Sequence, residues 1–220
     1  SYASGYGLCY VLIVGAGPAG LAAARAAAVD GLKVVLVDEN AEAGGTLLSE
    51  PQAKIDGKPA WTWLADELKV LKDQGVKVMT RTTAIAYYHQ NMIGLCEKLT
   101  DHLETVPKDT PRERLWRVRA RQVVLAQGAL EKPLVFHGND RPGVMLAGSA
   151  QTYLNRYGVK VGNRPVVVTS HDSAWYAAFD LHGAGAPVQA IVDTRAKVDE
   201  ALVNEARALG IPVKLSHTVT

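Results

Sequence analysis

Glycines 15, 17 and 20 form the clearest chemical signal in this 220-residue chain. They lie in the stretch VLIVGAGPAGLAAA, where a predicted strand, a tight turn and a helix carry the spacing G-x-G-x-x-G. In such a turn Gly15 permits the bend, Gly17 lets a pyrophosphate approach the backbone, and Gly20 lets helix and strand pack closely. The helix N-terminus offers unpaired N–H groups to the phosphates. The pattern therefore predicts a dinucleotide-binding turn.

Two adjacent acidic residues follow the next predicted strand. Asp38 and Glu39 come directly after the apolar run that ends at Val37. A carboxylate at this place accepts hydrogen bonds from the ribose hydroxyls of an adenosine and repels a 2′-phosphate. The two acids therefore predict NAD or FAD as the ligand rather than NADP.

Two later glycine turns extend this prediction. Gly45, preceded by a second glycine and followed by Thr46, allows the chain to fold back over the pyrophosphate. The sequence AQG, which ends at Gly128, resembles the Ala-Thr-Gly turn that passes near the cofactor in flavoprotein folds with two dinucleotide sites. Each turn alone is equally typical of an ordinary loop, but their order favours the FAD-type variant of the fold.

The elements that position these residues alternate along the chain. Strands are predicted at 10–14, 33–37 and 76–80, with helices at 19–29 and 61–73. Shorter strands at 84–88, 92–95 and 115–119 form an antiparallel excursion before a strand at 122–125 returns to the sheet. The chain is therefore predicted to be an α/β protein with a parallel sheet.

A second βαβ unit is predicted from residue 166 onward. Its elements are a strand that begins at Val166, a helix at 173–182, a strand at 188–192, a helix at 196–209 and a strand at 213–216. In its turn, Thr169, His171 and Ala174 replace the three glycines. A Cβ at Thr169 is expected to strain the turn, and the His171 imidazole to fill the phosphate space. This predicts a scaffold that binds no dinucleotide; the alternative is a rebuilt site that uses His171 and Asp172.

Composition restricts the other classes of function. Lys and Arg number 24 against 22 Asp and Glu, a net charge of +2 that favours neither nucleic acid nor an anionic membrane as partner. Cys9 and Cys96 have no metal-ligand spacing, so no metal site is predicted and both thiols are expected to be reduced. The uncharged run 8–24 contains glycines and a proline that suit a strand, turn and helix better than a membrane span. No signal peptide is visible, which predicts the cytoplasm.

Two further patterns do not predict a site of their own. Ser170, His171 and Asp172 have the residue types of a hydrolase triad, but neighbours in sequence cannot face one another as nucleophile, base and orienting acid. No catalytic residue is therefore assigned. The stretch RERLWRVRAR places three arginines on one face of a strand, either as a basic strip for nucleic acid or as a face that is solvated or covered in an assembly. The small net charge favours the second interpretation.

The sequence resembles the α subunit of heterotetrameric sarcosine oxidase and its relatives among bacterial amine, proline and opine dehydrogenases. The resemblance runs from about Val11 to the C-terminus. It rests on these segments: VLIVGAGPAGLAAA, LVDENAEAGGTLL, TRTTAIAYY, VVLAQGALEKPLVFHGNDRPGVMLAGSAQTYLNRYG and VVVTSHDSAWYAAFDL. It implies an FAD/NAD(P)-binding, disulfide-reductase-like Rossmann fold and a noncovalent NAD+. Two alternatives stay open: an FAD-binding oxidoreductase domain of an amine, proline or opine dehydrogenase, and a module that binds an adenine nucleotide only as a structural element at a subunit interface. The resemblance further implies that flavins elsewhere in a hetero-oligomeric oxidase oxidise the amine, and that a folate-binding region captures the one-carbon product.

The resemblance also implies which residues contact the nucleotide. Ala19 and Gly20 would lie at the phosphates, Asp38 and Glu39 at the adenosine ribose, Thr46 near the pyrophosphate and Ala84 beside the adenine. Proteins of this type leave the first domain, form a second, and then return to complete the first, whereas this sequence ends before that return. The expectation is therefore a fragment, with an incomplete dinucleotide-binding domain at 1–160 and the start of an inserted Rossmann-like domain at 161–220.

Overall fold

The computed structural model describes residues 2–29 and 31–219, which form two compact units. Within these residues, unit 1 comprises 2–29, 31–47 and 51–129, and unit 2 comprises 48–50 and 130–219. The units divide after residue 129, whereas the sequence predicted a domain boundary after residue 160. The assignment of a dinucleotide-binding domain and an inserted domain stays a prediction.

Unit 1 is built around a six-stranded sheet with the strand order β5-β2-β1-β8-β7-β6. Strands β5, β2, β1 and β8 run parallel, and β8, β7 and β6 form the predicted antiparallel excursion. The elements in chain order are β1 (Tyr2–Val14), α1 (Pro18–Ala28), β2 (Val34–Val37), a 3-10 helix (Gly45–Ser49), β3 (Lys54–Ile55), β4 (Lys58–Pro59), α2 (Ala60–Asp73), β5 (Lys77–Met79), β6 (Thr82–Tyr88), a 3-10 helix (His89–Asn91), β7 (Met92–Lys98) and β8 (Glu113–Leu125).

Two strands of unit 1 are longer than the sequence predicted. Strand β1 begins at Tyr2 instead of residue 10, and β8 is one continuous strand where two, at 115–119 and 122–125, were expected. The cause is long-range pairing, because β1 and β8 are in parallel register from Tyr2 beside Glu113 to Val14 beside Leu125. Partner strands override weak local preference in a sheet, so the serine and glycines of β1 still join it.

The core of unit 1 fixes the strand ends that carry the candidate site. Every residue of β2 is buried, as are Leu12 and Ile13 of β1, which is typical of parallel strands covered on both faces. Helices α1 and α2 are joined by an ion pair in which the Arg25 guanidinium lies 2.7 Å from the buried carboxylate of Glu67. The carboxyl ends of β1 and β2 lie side by side, because Val14 pairs with Val37.

The elements of unit 2 are α3 (Ala147–Tyr157), β9 (Val166–Thr169), α4 (Ser173–Gly183), β10 (Ala190–Asp193), α5 (Glu200–Ala208) and β11 (Val213–Leu215). Its three strands form a parallel sheet with the order β11-β10-β9. The predicted βαβ plan is present. Helix α3 was not predicted; it is anchored to α4 because the Asp180 carboxylate accepts hydrogen bonds from Gln151 (2.8 Å) and Asn155 (2.7 Å). None of the helices within residues 2–29 and 31–219 is long and apolar enough to cross a membrane.

Candidate dinucleotide-binding site

The turn between β1 and α1 needs two of its glycines for its own packing. Gly15 has φ +102°, a conformation that disfavours a side chain, and a Cβ there would collide with the carbonyl oxygen of Ala126. A Cβ on Gly20 would collide with the carbonyl oxygen of Gly15. Both glycines therefore let the helix, the strand and the turn after β8 approach one another, as predicted for Gly20.

Gly17 differs from these two glycines, because nothing in the protein requires it. Its backbone has φ −73° and ψ −178°, which any residue adopts. A Cβ added to it would meet no atom closer than the Cα of Gly45, at 3.9 Å. Gly17 is the N-cap residue of α1, and no side chain caps that helix start. The turn thus leaves room beside a set of backbone N–H donors, which fits the pyrophosphate of a dinucleotide.

The carboxylate of Asp38 is engaged within the protein. It is buried, and its Oδ2 accepts a hydrogen bond from the backbone N–H of Ala16 at 2.7 Å. Its Oδ1 accepts from the backbone N–H of Asn40 (2.8 Å) and from the Asn40 side chain (3.0 Å). Asp38 therefore ties the glycine turn to the segment after β2. Sequence reasoning missed Ala16 and Asn40, although the Asp-x-Asn spacing is typical of an Asx turn.

The neighbouring acid, Glu39, is exposed at the same strand end. Within the described residues no hydrogen bond or ion pair is recorded for its side chain, so its carboxylate is accessible to a ligand. Asp38 and Glu39 thus differ in environment, although the sequence predicted one shared role. The ribose contact predicted for this pair stays a prediction.

The second glycine turn lies against the first. The N–H of Gly44 donates to the carbonyl of Ala16 at 2.8 Å, and Gly45 has φ +56°. A Cβ on Gly45 would lie 2.9 Å from the Cα of Gly17, so only glycine allows this approach. Thr46 follows at the start of the 3-10 helix and is exposed. The chain therefore returns to the first glycine turn, whereas the fold of this segment over a pyrophosphate and the contact of Thr46 with it stay predictions.

The two remaining predicted contacts lie in segments that border this turn. The Ala126 N–H donates to the Val14 carbonyl at 2.8 Å, which brings the turn that contains the exposed Gly128 next to Gly15. Ala84 is half-buried in β6, the outer strand of the sheet. The start of β6 is joined to the segment after β2, because Thr82 N–H donates to the Asp38 carbonyl at 2.8 Å. The turn with Gly128 thus borders the first glycine turn, and the start of β6 borders the acid-bearing end of β2.

The corresponding turn of unit 2 is organised differently. Thr169 does not have a positive φ, so the prediction that it strains the turn is wrong. Its hydroxyl instead closes a local turn by accepting from the His171 N–H and donating to the His171 carbonyl, both at 2.9 Å. Asp193, at the end of β10, is fully buried and accepts hydrogen bonds from Trp175 Nε1 (2.9 Å) and from Arg195. Arg195 also forms an ion pair with Asp172 at 2.8 Å.

Together the fold and the turn define a class of protein. In unit 1 the parallel strands have the order β5-β2-β1, a glycine turn lies at the carboxyl edge of the sheet, and an acid follows β2. These are the elements of a Rossmann-type dinucleotide-binding domain. Thioredoxin reductase from T. acidophilum has the same fold, with a TM-score of 0.66 and 21% identity over 94% of this chain and 64% of that one. Groups of three or more His, Cys, Asp or Glu that are able to hold a metal ion are absent from the described residues.

The family model described as FAD dependent oxidoreductase matches residues 10–130, and the chain belongs to that family. It is 46% identical to the sarcosine oxidase subunit alpha of Rhizobium meliloti (strain 1021) over 89% of its length. It is 44% identical to the subunit of the same name from Corynebacterium sp. (strain P-1) over 93%. The resemblance found in the sequence is thereby confirmed. The chain spans 20% and 21% of the lengths of these two relatives.

Proposed function

We propose that unit 1 binds NAD+ noncovalently, as the nucleotide-binding part of a sarcosine-oxidase-type α subunit. The observation that carries this proposal is the room beside Gly17. Since neither backbone conformation nor packing requires glycine there, the absence of a side chain is explained by a ligand that approaches the main chain.

The chain's own groups would hold the nucleotide in the following way. The first turn of α1 presents the N–H groups of Ala19 and Gly20 to the phosphates. Glu39, which is exposed, would accept hydrogen bonds from the ribose hydroxyls. Asp38 holds the glycine turn, because its carboxylate accepts a hydrogen bond from the Ala16 N–H. Thr46 would lie near the pyrophosphate and Ala84 beside the adenine. The turn that contains Gly128 would pass near the cofactor.

FAD is the second candidate for the same site. It is supported by the family model, which is described by its dependence on FAD. A flavin would supply redox chemistry at this position, whereas a bound NAD+ is compatible with a structural role. The glycine turn and the acids suit the adenosine diphosphate portion that both nucleotides share, so the remainder of the nucleotide distinguishes the two candidates.

The activity of the whole assembly is part of the proposal. The relatives are named sarcosine oxidase subunit alpha, which supports a place for this chain in a hetero-oligomer that oxidises sarcosine. In that assembly, other subunits or domains would carry out the flavin-dependent oxidative demethylation and the capture of the one-carbon product by folate. The present chain would contribute nucleotide binding and no catalytic residue. Cys9 and Cys96 are free thiols, in keeping with a cytoplasmic location for that assembly.

Cofactor extraction tests the identity of the nucleotide. The complete natural protein and its Gly17→Val variant are purified with their partner subunits, denatured, and analysed by mass spectrometry and visible absorption. We expect the variant to lose NAD+ and to keep its full flavin content. Loss of FAD with retention of NAD+ would establish the second candidate, and equal nucleotide content in both proteins would refute a site at Gly17. The His171→Val variant, altered at the corresponding position of unit 2, is the matched control and should retain every cofactor.

A further inference from the structure

In the first part of β1 and the paired part of β8, one face of the sheet in unit 1 is exposed and carries aromatic and basic side chains. The opposite face of this part of the sheet is buried and includes Cys9, Ile93, Leu95 and Val118. We call the uncovered side the tyrosine–arginine face; it is formed by Tyr6, Leu8 and Tyr10 of β1 and by Arg117, Arg119 and Arg121 of β8. Tyr6 is 75% exposed and Leu8 is 70% exposed, unusual values for large apolar side chains in the middle of a sheet.

The parallel register of β1 and β8 places these residues in pairs across the two strands. Tyr6 lies beside Arg117 and Leu8 lies beside Arg119, while the Arg121 guanidinium lies 5.8 Å from the centre of the Tyr10 ring. Arg117 also lies over the Tyr6 ring, at 5.6 Å, and donates a hydrogen bond to its hydroxyl at 2.9 Å. Tyrosine rings thus hold two of the three guanidinium groups, those of Arg117 and Arg121.

The three arginines lack acidic partners. Arg117 is hydrogen-bonded to Tyr6 and Arg119 to the side chain of Gln90, at 2.6 Å. No ion pair is recorded for any of the three within residues 2–29 and 31–219, and the six residues of the face include no Asp or Glu. The same side of β8 carries an acid at Glu113, four positions before Arg117. Three adjacent positive charges that repel one another without a counter-charge are complementary to a row of carboxylates.

We propose that the tyrosine–arginine face is a docking surface for an acidic protein surface that lies outside the present chain. The charge row selects for carboxylates, and the exposed Tyr and Leu side chains supply apolar contact area of the kind that dominates protein interfaces. Relatives about four and a half times as long as this chain provide ample polypeptide for such a partner. The net charge of +2 is too small to draw a nucleic acid to the same row.

The row of arginines also specifies the geometry of the partner. Residues on one face of a strand repeat every second position, so the Cα atoms of successive arginines lie about 7 Å apart along β8. A partner strand or helix that presents acids at a similar repeat matches all three charges at once. Arg119, in the middle of the row and beside Leu8, is expected to contribute most, because central contacts are the best shielded from water.

Site-specific photo-crosslinking in the complete natural protein tests the proposal. A benzoylphenylalanine replaces Leu8, the assembly is irradiated, and the linked peptides are identified by mass spectrometry. Val29, also 70% exposed and in the same unit, is the matched control position. We expect position 8, and not position 29, to link to a polypeptide segment that contains at least two Asp or Glu residues.

Charge substitutions at Arg119 decide whether the acids matter. With the crosslinker at position 8, Arg119→Glu should lower the yield of the link at least about tenfold, whereas Arg119→Lys should retain most of it. Thermal unfolding of the crosslinker-bearing proteins before irradiation checks that each variant is folded. A link to nucleic acid, a link to a segment without acidic residues, the absence of any link, or equal yields from the two substitutions would each overturn the proposal.

Discussion

The two units share one backbone plan but use it differently. The strand order is β5-β2-β1 in unit 1 and β11-β10-β9 in unit 2. In each unit the second of these strands along the chain therefore lies between the first and the third. An aspartate stands at the end of each second strand, and in each case its Oδ1 accepts the N–H of the residue two positions later, at 2.8 Å. Asp38 and Asp193 are thus equivalent positions, with Asn40 matching Arg195.

The difference lies in what each aspartate holds. Asp38 binds the N–H of Ala16, so it fixes a turn whose neighbouring Gly17 position is open. Asp193 instead binds the Trp175 indole and the Arg195 guanidinium, and Arg195 also pairs with Asp172 at the start of α4. In unit 2 the charged groups at the carboxyl edge are therefore paired with one another. A buried acid after the second strand is thus common to the two units, whereas the open turn beside an accessible acid is a feature of unit 1.

Electrostatics strengthens the pairing in unit 2. Hydrogen bonding to Asp193 raises the pKa of Arg195 above its ordinary value, although partial burial opposes this. Burial alone would raise the pKa of Asp193, but the hydrogen bonds from Arg195 and Trp175 and the charge of Arg195 outweigh burial and lower that pKa below its ordinary value. Both groups are thus charged at neutral pH, and their pairing stabilises unit 2.

The largest effect is expected from placing a side chain in the open turn of unit 1. Gly17→Val should weaken nucleotide binding by more than about 100-fold, equivalent to more than about 2.7 kcal/mol, because the side chain fills the space of the pyrophosphate. Circular dichroism should show a retained fold, since the protein itself leaves this position free. Isothermal titration of the nucleotide-free protein measures the loss.

The same variant isolates unit 2. With unit 1 disabled, titration should reveal no remaining saturable site, because Thr169 and His171 occupy the glycine positions and Arg195 is paired. A residual site that disappears on His171→Ala would make His171 a ligand and would end the contrast between the units.

The second largest effect is expected on the stability of unit 2, when an acidic partner of Arg195 is replaced. Asp193→Asn should destabilise unit 2 by about 3 kcal/mol, because it leaves Arg195 without its buried counter-charge. Asp172→Asn removes the other partner of Arg195, which is half exposed, and should cost less than about 1 kcal/mol. Hydrogen exchange of the amides in α4 and β10 measures both changes within unit 2.

The stabilisation by Asp193 has a defined pH dependence. Because the folded-state pKa lies below the unfolded value of about 3.9, the stabilisation is complete above that value and declines as the pH falls through the folded pKa. The difference between the wild type and Asp193→Asn should therefore be constant near neutral pH and shrink in acid. A difference that grew as the pH fell would contradict the lowered pKa.

The smallest effect is expected from substituting the two acids of unit 1, Asp38 and Glu39, which should differ in their effects on stability. Glu39→Gln should weaken nucleotide binding by about 10- to 100-fold, the loss of a charge-assisted hydrogen bond of roughly 1.5–3 kcal/mol, without changing the stability of the fold. Asp38→Asn should lower stability as well as affinity, since the carboxylate holds the turn. Titration and urea unfolding of both variants separate these roles. Full affinity in Glu39→Gln would assign the ribose contact to Asp38 alone.

Several features were predictable from the sequence because they depend on local rules. The strand, glycine turn and helix of residues 10–28, the acid after β2 and the βαβ order of unit 2 all follow from periodicity and from the special conformations of glycine. Residue spacing also predicted that alternate arginines of β8 share one exposed face, which the structure confirms.

Other features required the tertiary structure, because they depend on residues far apart in sequence. The first eight residues of β1 belong to a strand only because β8 supplies their hydrogen-bonding partners, more than a hundred positions later. Likewise, Asp38 and Glu39 are equivalent acids in the sequence, and only the approach of the Ala16 N–H makes one a buried support while the other stays exposed. The sequence by itself determined where a dinucleotide-type turn would form. The packing of distant strand ends decided which side chains remain available to a ligand, because burial and hydrogen bonding depend on neighbours that no local pattern specifies.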